Sequence, residues 1–362
     1  MKIIHISAKG GESLYIPNYD QAPFITIWEV TRACALKCLH CRAEAQYHRH
    51  PEELTTTEGY QLIDQIVEMG SPLLVFTGGD PLMREDIFDL MDYAIKKGLR
   101  VSMTPSATPK VTKNAMEISK KLGLARWAFS LDGSNAEIHD QFRGVSGSYD
   151  LTLQSFQYLR ELEMPIQVNT TVSRYNIHDL ENIAKKIEEL GAELWSVFFL
   201  VPTGRGQIRD MISPVQHEEV FKWLFELNKT VPYDIKTTAA PHYRRYVLEQ
   251  SIHDGSSAEK MQDHIGRAAG INDGKGFIFV SHTGEVYPSG FLPVVVGNIK
   301  EESLTSIYRN SPILKDLRNP DTYQGKCGTC SYREVCGGSR ARAYAVTGNY
   351  LESDPFCIYK NE

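Results

Sequence analysis

The stretch FITIWEVTRACALKCLHC, residues 24–41, places an apolar, β-branched segment directly before three closely spaced cysteines. Residues 24–31 have the composition of a buried β-strand. Similar segments recur at residues 72–77, 99–104, 126–131, 165–172 and 194–201. Between them, apolar residues fall at helical spacing at residues 57–69, 86–97, 113–122, 149–161 and 178–190. This alternation predicts parallel strands joined by right-handed helical crossovers.

Six strand–helix units are fewer than the eight of a closed barrel, so the sequence predicts an α/β fold with a partial (β/α)6 barrel. We expect an N-terminal segment at 1–23, the barrel at 24–229, a connector at 230–276 and a small carboxyl-terminal domain at 277–362. The connector is polar and glycine-rich from residue 252, with a short helix predicted at 257–265. Residues 277–281 and 285–287 predict a β-hairpin in the last domain.

Composition excludes several classes of partner. The 362-residue chain has a formal net charge of −6 and a pI near 6.0, which gives no reason to expect nucleic acid or an anionic membrane as a partner. Residues 1–11 have no long apolar core, and no later segment approaches the ~20 apolar residues of a membrane span. We therefore expect a cytoplasmic protein, whose seven cysteines need an explanation other than disulfides.

The first cysteine group, Cys34-x3-Cys38-x2-Cys41, follows the first predicted strand. Thiolates at this spacing can bind three irons of a [4Fe–4S] cube and leave the fourth iron without a protein ligand. A zinc site is the alternative, with His40 as a possible fourth ligand inside the loop. In a barrel of this kind, functional groups gather at the carboxyl ends of the strands, which is where this loop lies.

This loop resembles the signature of radical S-adenosylmethionine (radical SAM) enzymes, with His40 where many members carry an aromatic residue. The resemblance implies that the open iron chelates SAM, and that an electron from the cluster cleaves SAM to a 5′-deoxyadenosyl radical. Such a cleavage needs an electron donor such as flavodoxin or ferredoxin.

Further segments at predicted strand ends resemble the SAM-binding motifs of the same family. Residues 77–81, Thr-Gly-Gly-Asp-Pro, look like its Gly-Gly-Glu motif, in which glycines let backbone carbonyls approach the SAM ammonium group. Each segment alone is also consistent with an ordinary turn or loop, but their shared position favours a binding site. The resemblance gives these candidate SAM-binding residues: Gly78, Gly79, Asp80, Ser106, Ser130, Asp132, Arg143, Val201 and Thr203.

The second cysteine group, Cys327, Cys330, Cys336 and Cys357, is a complete four-thiolate set. It resembles the carboxyl-terminal SPASM extension of radical SAM enzymes that modify peptides and other large substrates. Ser289 and Arg340 stand where the full extension has further cysteines. The reduced, twitch-like form therefore implies one auxiliary [4Fe–4S] cluster, and two clusters in the whole chain. A zinc ribbon is the alternative for this group.

Two local basic groups suggest how a substrate is recognised. Residues 241–245 and 339–342 each carry two arginines, and arginine pairs suit carboxylates through bidentate hydrogen bonds. A solvated helix face is the alternative at each site. The candidate substrate-binding residues are His242, Arg244, Arg245 and Arg340.

Residues 30–34, Val-Thr-Arg-Ala-Cys, and 41–44, Cys-Arg-Ala-Glu, are similar to the radical SAM branch that alters haem side chains. That resemblance implies hydrogen abstraction from a carboxylate-bearing tetrapyrrole. Peptide-modifying relatives often carry a leader-binding domain of roughly 80 residues before the barrel, and 23 residues before the first strand are too few for one. Peptide modification and a non-catalytic zinc-binding scaffold are the alternative functions.

Overall fold

The computed structural model describes residues 18–253 and 270–360. Within them, ten strands form one sheet: β1 Ile25–Glu29, β2 Leu73–Thr77, β3 Arg100–Met103, β4 Arg126–Ser130, β5 Ile166–Val172, β6 Leu194–Phe199, β7 Asp234–Thr238, β8 Phe277–Val280, β9 Glu285–Tyr287 and β10 Gly297–Asn298. Their spatial order is β10-β9-β8-β1-β2-β3-β4-β5-β6-β7. Pairing is parallel from β8 through β1 to β7, and antiparallel from β8 to β10.

Helices follow the barrel strands and then build the carboxyl-terminal domain. They are α1 Thr56–Met69, α2 Ile87–Lys96, α3 Lys113–Leu122, α4 Ala136–Arg143, α5 Ser148–Glu161, α6 Leu180–Glu189, α7 Pro214–Leu227, α8 His242–His253, α9 Leu304–Asn310, α10 Pro312–Arg318, α11 Gly325–Thr329 and α12 Arg340–Thr347. Across residues 18–253 and 270–360, no helix has both the length and the apolar character needed to cross a bilayer.

The predicted fold class is confirmed, since all six predicted barrel strands are present and the hairpin of the extension forms from β8 and β9. The sequence missed a seventh parallel strand, β7, because its residues Asp-Ile-Lys-Thr-Thr are polar and lie at an exposed sheet edge. It also did not show that β8 pairs in parallel with β1, with Trp28 opposite Val280.

In the described parts of the segment 230–276, residues 230–253 and 270–276, two elements are present where the sequence predicted a connector. β7 continues the barrel sheet beside β6, and α8 packs on α7. The predicted domain boundaries remain predictions, because the sheet runs without interruption from the barrel into the extension. The short helix predicted at 257–265 lies outside the described residues.

Strand alternation separates the sheet into a packed face and a cavity face. Trp28, Trp127 and Trp195 are fully buried in β1, β4 and β6 and belong to one continuous apolar core. Two of these indoles satisfy their N–H groups inside the core: Trp127 Nε1 donates to Ser119 Oγ over 2.8 Å, and Trp195 Nε1 donates to Thr170 Oγ1 over 2.9 Å. The alternate strand residues face the other way, so their side chains are free to build a site.

The first helix begins and ends as its sequence predicts. Thr55 and Glu58 form a reciprocal capping box, in which the Thr55 hydroxyl accepts from Glu58 N over 3.2 Å and the Glu58 carboxylate accepts from Thr55 N over 2.7 Å. Gly70 ends the helix with a left-handed φ of 85°. These caps fix the crossover that carries the chain from the first cysteine group to β2.

We predict that Gly59→Ala on α1 destabilises the fold. A Cβ at this position would lie 2.8 Å from both Leu90 Cδ2 and Trp28 Cη2. Overpacking of this kind costs about 1–3 kcal/mol, which exceeds the ~1 kcal/mol that alanine gains over glycine in a helix. Anaerobic thermal unfolding followed by circular dichroism should show a lower midpoint.

The matched control is Gln61→Ala, at an exposed position on the same helix, which should leave the unfolding midpoint nearly unchanged. A higher midpoint for Gly59→Ala than for the unsubstituted protein would contradict the packing described here.

Candidate active site at the carboxyl ends of the strands

The first cysteine group lies in the loop that leaves the carboxyl end of β1. Backbone N–H groups donate to its sulfurs, since Leu36 N lies 3.3 Å from Cys34 Sγ and Ala45 N lies 3.4 Å from Cys41 Sγ. Cys34, Cys38 and Cys41 all border one cavity. The three cysteines singled out by their spacing are therefore brought together on one cavity wall.

These cysteines are suited to a metal centre that supplies positive charge. Burial raises the pKa of the Cys34 thiol to about 11 and also raises the pKa of Cys38, so their thiolates need a positive partner such as iron. In the described part of the chain, no three or more His, Cys, Asp or Glu side chains are grouped to hold a single metal ion. Three cysteines are the thiolate set that one [4Fe–4S] cube with an open iron requires.

His40, the possible fourth zinc ligand, packs against α4 instead. Its ring stacks on Phe142 with a centroid separation of 4.2 Å. Burial lowers the pKa of His40 well below its ordinary value, so the ring is neutral. This position agrees with a packing role beside the cysteine loop.

Gly78 and Gly79 form the turn after β2 and touch the cysteine loop directly. A Cβ on Gly78 would overlap the carbonyl oxygen of Thr31, and one on Gly79 would lie 2.5 Å from the carbonyl oxygen of Ala33. Gly79 N donates to Thr31 O over 2.8 Å. The glycines are therefore required for backbone contact with the cysteine loop, which is a reason that the sequence alone did not supply.

Most of the predicted SAM-binding residues border the same cavity as the cysteines. Ser106 connects two parts of that wall, since its hydroxyl donates to Gly79 O over 3.0 Å and lies 3.3 Å from Cys34 Sγ. The predicted residues that border the cavity are Gly78, Gly79, Ser106, Ser130, Arg143 and Val201. Those that do not are Asp80, Asp132 and Thr203.

Asp80 and Asp132 are fully buried behind the cavity wall. Asp80 accepts from Thr108 Oγ1 over 2.9 Å, and burial raises its pKa to about 6. Asp132 forms an ion pair with Arg143 and accepts from Thr171 N over 2.6 Å. Both carboxylates thus hold the backbone and the arginine in place, and the charge of Arg143 is neutralised within the protein.

The loop after β6 also packs onto the cysteine loop. A Cβ on Gly204, whose φ is 58°, would lie 2.5 Å from the carbonyl oxygens of Cys41 and Arg42. Arg205 Nε donates to Cys38 O over 2.9 Å. Arg205 was not among the predicted SAM-binding residues, although it lies beside the predicted Val201 and Thr203 in a glycine-flanked loop.

The cavity has a volume of about 1440 Å³ including its open mouth. Five phenylalanines border it, and we call four of them, which lie beside Phe199 in this lining, the phenylalanine wall: Phe198, Phe277, Phe279 and Phe291. Three of these four belong to the carboxyl-terminal extension, so the extension completes the cavity that the barrel begins.

The second cysteine group surrounds a separate, small pocket. Cys327, Cys330, Cys336 and Cys357 all border it. Backbone N–H groups again point at sulfur, with Gly338 N at 3.3 Å from Cys336 Sγ. Burial raises the pKa of Cys336 to about 12, so these residues also fit a cluster that supplies positive charge.

The structure does not bring the four predicted substrate-binding residues to the large cavity, whose lining excludes His242, Arg244, Arg245 and Arg340. Arg340 is fully buried, donates to Tyr350 O and Glu352 O over 3.1 and 2.7 Å, and lies 3.5 Å from Cys327 Sγ. Arg244 donates to the backbone of Ile271 over 2.7 Å. Arg244 and Arg340 therefore stabilise the backbone of the extension through hydrogen bonds to its carbonyl groups.

The remaining two predicted residues lie around the second cysteine group. Arg245 borders its pocket and forms ion pairs with Glu218 and Glu249. His242 is fully buried, with Nδ1 3.9 Å from Asp354 Oδ2. A substrate in the large cavity must be recognised by other side chains.

Known proteins related to this chain identify its family. The Radical SAM superfamily model matches residues 28–187, and the SPASM iron-sulfur cluster-binding domain matches residues 272–331. AdoMet-dependent heme synthases of Methanosarcina barkeri and Nitratidesulfovibrio vulgaris are 41% and 42% identical, over 94% and 92% of this chain and 97% and 91% of theirs. The chain belongs to the radical SAM superfamily.

The fold of this radical SAM enzyme is also that of a solved relative. Streptococcus suis SuiB bound to S-adenosylmethionine matches 94% of this chain and 78% of its own, with a TM-score of 0.72 at 16% identity. The predicted family, enzyme class and likeness to the haem branch are confirmed. The enzyme uses SAM and two [4Fe–4S] clusters, as the two domain matches indicate.

We predict that replacing Cys34, Cys38 and Cys41 together with Ala removes one of the two clusters and abolishes SAM cleavage. Iron bound after anaerobic reconstitution should fall from about eight to about four per chain, because each cube holds four irons. Iron analysis and a 5′-deoxyadenosine assay with dithionite would measure both effects.

Lys37→Ala, at an exposed position in the same loop, is the matched control and should retain about eight irons. Formation of 5′-deoxyadenosine by the triple variant would show that SAM is cleaved elsewhere.

Proposed function

We propose that this radical SAM enzyme forms haem by removing carboxyl groups from propionate side chains of an iron porphyrin. The proposal is carried by the similarity to two heme synthases. They are 41% and 42% identical to this chain, over more than nine-tenths of this chain and of their own. Haem carries two vinyl and two propionate groups, so a decarboxylating route to it starts from a four-propionate iron porphyrin.

The cavity supports a porphyrin as the second ligand beside SAM. The cavity is open at its mouth and is lined by residues of both the barrel and the extension, so a ligand held beside SAM can contact both. Aromatic side chains favour flat apolar partners, and the phenylalanine wall offers such a surface. The three cysteines border the same cavity as this wall, which suits a substrate held beside SAM.

The reaction balances for each side chain. When bound, the first cluster and SAM supply a 5′-deoxyadenosyl radical. Hydrogen abstraction from the propionate carbon next to the ring leaves a carbon radical on the side chain. Loss of CO2 and one electron then gives a vinyl group. The electron released equals the one consumed in cleaving SAM, so no net oxidant is needed.

The residues of the chain would hold and shield these reactants. We infer that Cys34, Cys38 and Cys41 hold the SAM-binding cluster, and that Cys327, Cys330, Cys336 and Cys357 hold the auxiliary one. SAM would contact the cavity-lining candidates, while Asp80 and Asp132 position the wall from behind. Because the residues behind the cavity wall are buried, water has limited access to the radical.

The first electron requires a donor, and we propose a flavodoxin or ferredoxin of the cytoplasm. Seven cysteines that form no disulfide among the described residues suit a reducing compartment, which also keeps such carriers reduced.

Peptide modification is the second candidate function. SuiB, which shares the fold at 16% identity, has also been solved with its precursor peptide SuiA. The open mouth of the cavity would admit an extended chain as well as a planar ring. Identity above 40% to heme synthases over nearly the full chain favours the tetrapyrrole.

We predict that the reconstituted enzyme, given dithionite, SAM and iron coproporphyrin III, converts two propionates to vinyl groups. One 5′-deoxyadenosine should form per vinyl group, because each conversion uses one hydrogen abstraction. Mass spectrometry of the porphyrin and chromatography of the nucleoside would measure this ratio. Slow 5′-deoxyadenosine formation with an unchanged porphyrin would reject the proposed substrate and turn attention to peptides.

A further inference from the structure

Glu29, at the carboxyl end of β1, is a fully buried carboxylate shared by three basic side chains. Its oxygens lie 2.8 Å from Arg42 Nη1, 3.2 Å from Arg32 Nε and 3.0 Å from His282 Nδ1. These groups come from three parts of the fold: a barrel strand, the cysteine loop and the β8–β9 turn of the extension. We call these four residues the Glu29 cluster.

The Glu29 cluster carries more positive than negative charge. Burial raises the pKa of Glu29, but Arg42, His282 and Arg32 together outweigh burial and lower it to about 2, so the carboxylate is ionised. The single negative charge of Glu29 therefore faces two permanently charged guanidinium groups. The surplus of at least one positive charge lies beside the cavity and would attract a further anion.

Arg42 brings this surplus charge to the cavity surface. It borders the cavity, and its guanidinium lies 4.5 Å from the ring centroid of Phe279, part of the phenylalanine wall. Its side chain is 17% exposed, and its remaining N–H groups have no acceptor within the described residues. Gly290 makes room for it, because a Cβ there would lie 3.0 Å from Arg42 Nε.

The other two arginines of the cavity are held by groups in or behind the cysteine loop, although Arg143 Nε and Arg205 Nη2 have no partner among the described residues. Arg143 forms an ion pair with the buried Asp132. Arg205 donates to the backbone oxygens of Cys38 and Ala45, over 2.9 and 3.4 Å. Both are bound close to the cysteines, whereas Arg42 contacts Phe279 of the phenylalanine wall. It is thus the cavity arginine best placed to meet a group on the edge of a flat ligand stacked there.

We propose that Arg42 is a specificity-determining residue, which binds a propionate carboxylate of the porphyrin while Glu29 holds its guanidinium in place. This inference rests on the proposed function and assigns one substrate contact within that site. One N–H of Arg42 goes to Glu29, and the N–H groups left over can meet a second carboxylate. Arg32, 41% exposed, supplies the charge that keeps Glu29 balanced when Arg42 is shared.

The test compares binding of two forms of one ring to the reconstituted enzyme with SAM: iron coproporphyrin III and its tetramethyl ester, followed by the porphyrin Soret band. The two forms share ring and side-chain length and differ in carboxylate charge. For Arg42→Gln, we expect affinity for the free acid to fall about 10- to 100-fold, the range for a lost hydrogen bond to a charged group. Affinity for the uncharged ester should change less than about threefold, because the substitution removes only a neutral contact with it.

Two further variants complete the comparison. Arg100→Gln, at the exposed amino end of β3, is the matched control and should bind both forms like the unsubstituted enzyme. Arg42→Lys keeps the charge but not the planar fork, so its loss for the free acid should be intermediate. This variant also provides a result if Arg42→Gln fails to fold, which circular dichroism would reveal.

The outcomes separate the inference from the function on which it rests. An unsubstituted enzyme that binds neither porphyrin would overturn both. Binding by that enzyme with an equal loss of acid and ester in the Arg42 variants, or with no loss of either, would overturn the role of Arg42 alone. Equal loss would mean that Arg42 only braces the extension.

Discussion

Backbone contact between the Gly78–Gly79 turn and the cysteine loop is the constraint on which the site depends. Gly79 N and Asp80 N donate to Thr31 O and Ala33 O, each over 2.8 Å, and no side chain fits between the two segments. These bonds fasten the cysteine loop to the end of β2. Ser106, three residues after β3, and the loop after β6 then attach to the same assembly, so several crossovers position one set of sulfurs.

The barrel could be predicted from sequence because its strands are apolar and β-branched and its helices amphipathic, which are local properties. β7 could not, because a polar edge strand has no such pattern and is recognised only by its neighbour β6. The pairing of β8 with β1 joins residues about 250 positions apart, and local composition carries no information about such a contact.

The cysteines of the site could be predicted from the sequence more accurately than its charged residues. Cysteine spacing reflects ligand geometry directly, whereas the role of a charged side chain depends on what it meets after folding. Arg340 and Arg244 belong to arginine pairs of the kind that suits a carboxylated substrate, yet they bind backbone carbonyls in the extension. Glu29 ends a strand whose sequence gives no reason to expect three basic partners, one of them His282, 253 positions away in the extension.

The addition of β8 alongside β1 has a second effect, on association between molecules. Without it, the apolar strand Ile25–Glu29 would be the last of the sheet, with unpaired N–H and C=O groups open to another chain. One edge of the sheet is instead the two-residue strand β10. The other edge is β7, which presents the exposed Asp234 and Lys236. The extension thereby also protects the barrel from edge-to-edge aggregation, because β8 covers the edge of β1.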